Sequence, residues 1–412
     1  MSHDVALTCL DSGARVITER LPHLRSIAVG YWVGTGSRDE PDELAGASHF
    51  LEHLLFKGTD GRTAADIADA VESIGGDMNA FTTHEFTTYY VRLPDRALAL
   101  AFEILSDIMW SPALRPDDVE SERQVILEEI AMRDDTPEDL VHDLFSSAMF
   151  PDHPIGREVV GSRETIGAMH RDDIAGFHAQ HYSPSNVVIA AAGNLDHDEV
   201  VALVEAGLGG APGARPRRTL HDGKPAPRAL AILDRPIEQT HVIFGMRAIR
   251  RDDPDRYPLS VLNQVLGGGM SSRLFQEVRE RRGLAYSVYS FRAAYEETGA
   301  LAVYAGTSPE HADDVLGIVR DEFDRIVRDS GVTPRELDAA KGNLTGSLAL
   351  GLESSSSRMH RIGRSLLTLG EVPSVDDVVA EIEAVTDDDI ARVVDRVLGG
   401  DDRTTALVGP PR

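Results

Sequence analysis

The chain has 412 residues, more than one ordinary domain and enough for two or three. It is 42% hydrophobic, which excludes a wholly disordered polymer, and its formal charge of −27 argues against nucleic acid and anionic membranes as partners. Cys9 is the only cysteine, so neither an intramolecular disulfide nor a thiolate metal cluster is available. The opening residues, MSHDVALTCLDSGARV, do not read as a secretory signal, and no stretch approaches the ~18 apolar residues of a membrane span. The expectation is a cytoplasmic protein whose acidic character would favour basic peptides.

Taken in chain order, GARVITERL from Gly13 and SIAVGYWVGTGS from Ser26 read as paired strands. Residues 47–56, within GASHFLEHLLFKGT, contain no Gly or Pro and suit a helix. On a 3.6-residue wheel Phe50, Leu51, Leu54 and Leu55 form a core-facing stripe, while His49, Glu52, His53 and Phe56 share another face. The i, i+4 spacing brings both imidazoles to one side, close enough to share a metal ion, with Glu52 beside them to reach a water. A metal would offset the cost of three polar groups in an otherwise apolar segment.

A helix capped near Thr63 and ending at Gly75 follows. GGDMNAFTTHEFTTYYVRLP then reads as a hairpin turning around residues 83–85. The helix after Arg115 carries Glu120, Glu122, Glu128 and Glu129. Glu122, Val125, Ile126 and Glu129 share a face; Val125 and Ile126 are expected to point inward and to draw both glutamates with them, leaving Glu128 solvated. Spacing leaves open whether Glu122 or Glu129 completes a metal site of two histidines and a carboxylate.

The chain is written twice. TTYYVRLPDRALALAFEILSDIM from Thr87 parallels LAVYAGTSPEHADDVLGIVRDEF from Leu301. RPDDVESERQVILEEIAM from Arg115 parallels TPRELDAAKGNLTGSLAL from Thr333, and HRDDIAGFHAQHYSPSNVVIAAAGN from His170 parallels TDDDIARVVDRVLGGDDRTTALVGP from Thr386. All three pairs lie a little over two hundred residues apart. The predicted fold class is α+β: two homologous domains, 1–207 and 228–412, each a mixed, mainly antiparallel sheet with helices packed on one face. A Gly- and Pro-rich linker, 208–227, joins them. The second copy has SVLNQVLGG where the first has its histidines, so only the first can carry the metal.

HFLEH followed further on by ERQVILEEI resembles the pitrilysin-type inverzincin metallopeptidases, in the branch that contains mitochondrial processing peptidase and its bacterial relatives. The resemblance runs through nearly the whole chain. It implies one Zn2+ per chain bound by His49, His53 and Glu129, with Glu52 as general base and Glu122 as a supporting acid. It also implies that a substrate strand adds to the first arm of the hairpin beside Asn79, Ala80 and Phe81. In LGGGMSSRLFQEVRERRGLAYSV, it carries over Arg279 and Tyr286 as the pair that steadies the substrate backbone and the developing oxyanion. Members of this length work as pairs around a closed chamber, which implies a homodimer in which the Arg–Tyr pair reaches the metal of the opposite subunit. The expected activity is a zinc-dependent endopeptidase acting on peptides or unfolded segments. The alternative is a non-catalytic scaffold subunit of the same fold.

Overall fold

The computed structural model describes residues 4–210, 213–220, 225–329, 331–400 and 402–411. The first half contributes strands β1 (Val5–Cys9), β2 (Arg15–Arg20), β3 (Ser26–Val33), β4 (Asp77–Thr82), β5 (Thr87–Pro94) and β6 (Val187–Gly193). The second contributes β7 (Leu230–Asp234), β8 (Thr240–Ala248), β9 (Ala285–Ala294), β10 (Gly299–Thr307) and β11 (Arg403–Gly409). The helices of the first half are α1 (Ala47–Leu55), α2 (Ala64–Glu72), α3 (Leu98–Trp110), α4 (Pro116–Asp134), α5 (Pro137–Met149), α6 (Arg163–Ala168), α7 (Arg171–His181) and α8 (His197–Gly207). Those of the second are α9 (Arg256–Gly267), α10 (Ala312–Arg328), α11 (Pro334–Gly351), α12 (Ser355–Leu369), α13 (Val375–Ala384) and α14 (Asp387–Leu398).

The strands form two sheets, ordered β1-β2-β6-β3-β5-β4 and β7-β11-β8-β10-β9. Each is mainly antiparallel with one parallel pair, β2 with β6 and β11 with β7. This is the duplicated α+β architecture expected from the repeats. Among the described residues, strand β4 ends its sheet with one side of its backbone unpaired by any other strand.

The chain separates into two compact units that cut across the sequence halves 1–207 and 228–412. One unit is Met1–Ala131, Glu158–Thr219 and Leu350–Ser374; the other is Met132–Arg157, Leu220–Ala349 and Val375–Arg412. Helix α12, from the second half, therefore belongs to the first unit, and α5, from the first half, to the second. In the first unit α3, α8 and α1 cover one face of the sheet, and α12 lies across β2, β3 and β6 on the other. Alternate strand residues divide accordingly: Val29, Tyr31, Ile189 and Ala191 enter one core, and Ala28, Trp32, Val188 and Ala190 enter the core under α12. In the second unit α5 covers β8, β11 and β7 in the same way. The expectation of helices on one face is thus corrected. VVIAAAG, and SIAVGYWV after its first serine, run without charged or strongly polar residues because both of their faces are buried.

Of the linker 208–227, residues 211, 212 and 221–224 lie outside the described residues. Arg218 is held within the first unit: its Nε donates to Asp39 Oδ1 at 2.8 Å and its Nη2 to the carbonyl of Glu85 at 2.6 Å. Glu85 lies in the turn between β4 and β5, so a linker residue clamps that hairpin.

Candidate metal centre

Helix α1 begins at Gly46, whose φ of 97° lies in the left-handed region. A Cβ there would come within 2.7 Å of the Val160 carbonyl oxygen, so only glycine fits. Gly46 offers no side-chain cap, and the task falls to Glu40. Its two carboxylate oxygens accept from the N–H groups of Gly46 and Ser48, each at 2.7 Å. A buried carboxylate at the positive end of the helix satisfies two donors that would otherwise be orphaned. The stripe Phe50, Leu51, Leu54 and Leu55 is buried as its periodicity requires, and it presses α1 into the core of the first unit. That orientation turns His49, Glu52 and His53 to the opposite side.

Helix α4 supplies the acids. Ile126 and Ile130 are buried, but Val125 is 42% exposed, which corrects its inward assignment. Glu122 is buried, Glu129 half-buried and Glu128 exposed. The face that sets the acids is therefore closer to Glu122–Ile126–Glu129 than to the wider stripe. Arg123 braces this helix: its Nη1 donates to the Ile166 carbonyl, its Nη2 donates to the Met169 carbonyl at 2.8 Å, and its guanidinium lies 5.6 Å from the centre of the Phe50 ring on α1. A buried cation that satisfies two carbonyls and stacks on an aromatic ring fixes α4 against α1.

Three side chains converge. His49 Nε2 lies 3.7 Å from Glu129 Oε2, and His53 Nε2 lies 3.5 Å from the same oxygen. The ligand atoms of His49, His53 and Glu129 all lie within 4.8 Å of one another. Glu122 stands behind His53, accepting from Nδ1–H at 3.0 Å, which leaves Nε2 as the lone-pair nitrogen facing Glu129. Spacing left Glu122 and Glu129 equivalent; the geometry separates them, one beside the outer nitrogen of His53 and one beside the inner. Lys57 Nζ in turn lies 2.8 Å from Glu122 Oε1. Burial, and secondarily the neighbouring His53, lowers the His49 imidazolium to about 4, so the ring is neutral and free to ligate at physiological pH.

Among the described residues, His49 Nδ1 and Glu52 Oε2 are buried without a hydrogen-bond partner. The Glu52 carboxyl is raised above its ordinary range, chiefly by burial, against the downward pull of the Thr82 hydroxyl and His53. Two imidazoles and a carboxylate are the donor set of a catalytic zinc site with an open position. The residues present fit such an ion.

The β4–β5 hairpin flanks α1 and brings Thr82 to Glu52. On β4, Ala80 faces the core beneath α1, whereas the Phe81 ring packs among Trp32, Phe86, Tyr90 and His360 on the opposite face. Asn79 is exposed, and its Oδ1 accepts from the Ala80 N–H at 2.8 Å, capping a donor of the edge strand. The structure thus puts Ala80 and Asn79 at the free edge, with Phe81 held in an aromatic cluster.

Arg279 and Tyr286 lie together in the second unit. Arg279 sits in a π-helical segment, Phe275–Arg281, and Tyr286 near the start of β9. The guanidinium lies 4.7 Å from the centre of the Tyr286 ring and 4.9 Å from that of Phe275, and Tyr286 is 79% exposed. The pair is stacked, with the phenol open to solvent.

Sequence reasoning missed Glu40, Lys57 and Thr82. Only Lys57 left a local signal, a basic residue immediately after the helix. Glu40 reaches α1 from a loop and Thr82 from the end of β4, and the local sequence encodes neither approach.

Comparison with known proteins matches residues 15–163 to the family model "Insulinase (Peptidase family M16)" and residues 168–344 to "Peptidase M16 inactive domain". A protein of Streptomyces coelicolor named as an uncharacterized zinc protease is 48% identical, over 96% of this chain and 87% of its own length. One of Bacillus subtilis, also named as an uncharacterized zinc protease, is 38% identical, over 98% and 97%. The crystal structure of a protease from Helicobacter pylori superposes with a TM-score of 0.91 at 24% identity, covering 98% of this chain and 99% of that one, and so shares the fold.

Proposed function

The chain belongs to the insulinase family, peptidase family M16, and on that premise we propose that it is a zinc-dependent endopeptidase of peptides and unfolded segments. The carrying observation is the convergence of His49, His53 and Glu129 around one position, with Glu52 on the same helix face. In this reading the three hold one Zn2+ per chain.

Bound there, zinc would supply Lewis acidity, bringing the ionisation of water near neutral pH and polarising a carbonyl. Glu52 takes the proton of the attacking water on its carboxylate and returns it to the leaving amine. Its raised carboxyl suits a base that must also act as an acid. Ala80 offers a main-chain N–H to an added substrate strand once the Asn79 carboxamide swings away. Arg279 and Tyr286 offer a cation and a hydroxyl donor to the substrate backbone and its oxyanion. The net charge of −27 favours basic peptides. The reading is completed by a cytoplasmic homodimer in which the Arg279–Tyr286 pair of one subunit serves the metal of the other.

The test pairs metal content with cleavage of an unstructured basic peptide. Glu52→Gln retains one zinc per chain and loses cleavage; His49→Ala loses both. Cleavage at the unmodified rate by Glu52→Gln would remove the proposed base. The alternative is a non-catalytic scaffold of the same fold, against which stands the retention of His49, Glu52, His53 and Glu129. It predicts zinc without cleavage in the unmodified protein.

A further inference from the structure

We infer that Lys57 is a positioning residue of the metal centre, clamping Glu122 so that Glu122 in turn holds the His53 ring and thereby sets zinc affinity. The inference rests on the zinc reading above and adds to it a residue outside the ligand motif.

The geometry is a relay of three side chains. Lys57 Nζ engages Glu122 Oε1 at 2.8 Å, and the other oxygen of the same carboxylate, Oε2, accepts from His53 Nδ1–H at 3.0 Å. A carboxylate engaged at both oxygens has its plane fixed, and the plane of Glu122 fixes the rotation of the imidazole. His53 Nε2 is then aimed at Glu129 Oε2, 3.5 Å away. The clamp is anchored at each end. The Lys57 N–H closes the last turn of α1 onto the Leu54 carbonyl at 3.1 Å, and Gly58, with φ of 128°, turns the chain immediately afterwards. The Glu122 side chain is 9% exposed and that of Lys57 33%, so this is not a freely solvated surface pair. The Arg123 brace fixes the backbone next to Glu122 through Ile166 and Met169. Without the ammonium, Oε1 has no fixed partner, the carboxylate turns, and the imidazole loses its orienting acceptor. Partners that orient a ligand histidine typically contribute about 10–100-fold in metal affinity.

The experiment measures zinc affinity of the full chain by competition with a chromophoric chelator at fixed pH. The proteins are the unmodified chain, Lys57→Met, Lys57→Arg, Glu122→Gln and the double variant Lys57→Met/Glu122→Gln. Circular dichroism melts of the metal-free proteins monitor folding. Lys57→Met is expected to weaken zinc binding roughly 10-fold or more. Lys57→Arg, which keeps a cationic donor, recovers most of the loss. In the Glu122→Gln background Lys57→Met costs little more, because the relay is already broken. Unmodified affinity in Lys57→Met overturns the inference, as does a fully additive loss in the double variant. If Lys57→Met does not fold, Lys57→Arg decides: affinity as poor as that of Glu122→Gln overturns the inference. Failure of the unmodified chain to take up zinc overturns the zinc reading itself, and that result is visible before any variant is compared.

Discussion

Glu40 is the residue through which the fold most directly supports the metal-binding helix, and its removal has a calculable cost. In Glu40→Ala, the buried N–H groups of Gly46 and Ser48 lose both acceptors. A buried donor left unsatisfied costs about 1–3 kcal/mol, so two cost about 2–6 kcal/mol. The lost charge at the positive end of α1 adds about 0.3–1 kcal/mol. Taking about 4 kcal/mol as the centre, and about 2–4 °C per kcal/mol for units of this size, Tm falls by roughly 8–16 °C. Glu40→Gln keeps one acceptor oxygen, and its amide opposes the other N–H, so it loses roughly half as much. The assay is urea and thermal unfolding of the metal-free chain, which separates helix capping from metal binding. A loss below about 1 kcal/mol in Glu40→Ala would refute the assignment, since it falls short of even one unsatisfied buried donor.

Two further outcomes follow from the first unit. A Cβ added at Gly363 on α12 would lie 2.3 Å from Trp32 Nε1, so Gly363→Ala should destabilise by about 1–3 kcal/mol, read in urea unfolding; a neutral effect would show that α12 does not seat tightly on the indole. His360, packed against Trp32, Phe81 and Tyr90, has its imidazolium depressed mainly by burial and secondarily by Arg364. The unfolded chain therefore takes up this proton first, near pH 6.5, so the stability contribution is whole above that value and declines as pH falls toward the depressed folded value. His178 in the same unit and His142 in the other act in the same sense, each depressed mainly by burial. His360→Phe should flatten the fall in urea midpoint between pH 7.5 and 5.5; an unchanged slope would assign the dependence to other groups.

The ligand helix was legible because two periodicities coincide in α1, one apolar and one polar, and burial of Phe50, Leu51, Leu54 and Leu55 leaves only one direction for His49, Glu52 and His53. The choice between Glu122 and Glu129 was not legible. They sit two turns apart on one face of α4, and only the position of α1 beside α4 decides which reaches Nε2 and which reaches Nδ1. Val125 misled because an apolar residue next to a buried isoleucine reads as core, although it stands 42% exposed. The double-sided burial of β3 and β6 was written in their unbroken apolar runs, but no local pattern names α12, more than 150 residues from either strand, as the cover.

That last separation bears on how the molecule is made. Glu19 on β2 is paired with Arg358 on α12, and Trp32 waits for Met359 and Gly363. A nascent chain that has emerged from the ribosome only as far as residue 207 therefore has its first sheet laid down with one side bare. Severing the chain within 208–227 would give two pieces, each holding a helix that the other's sheet requires. Neither piece should be soluble when expressed alone, and the two expressed together should purify as one particle.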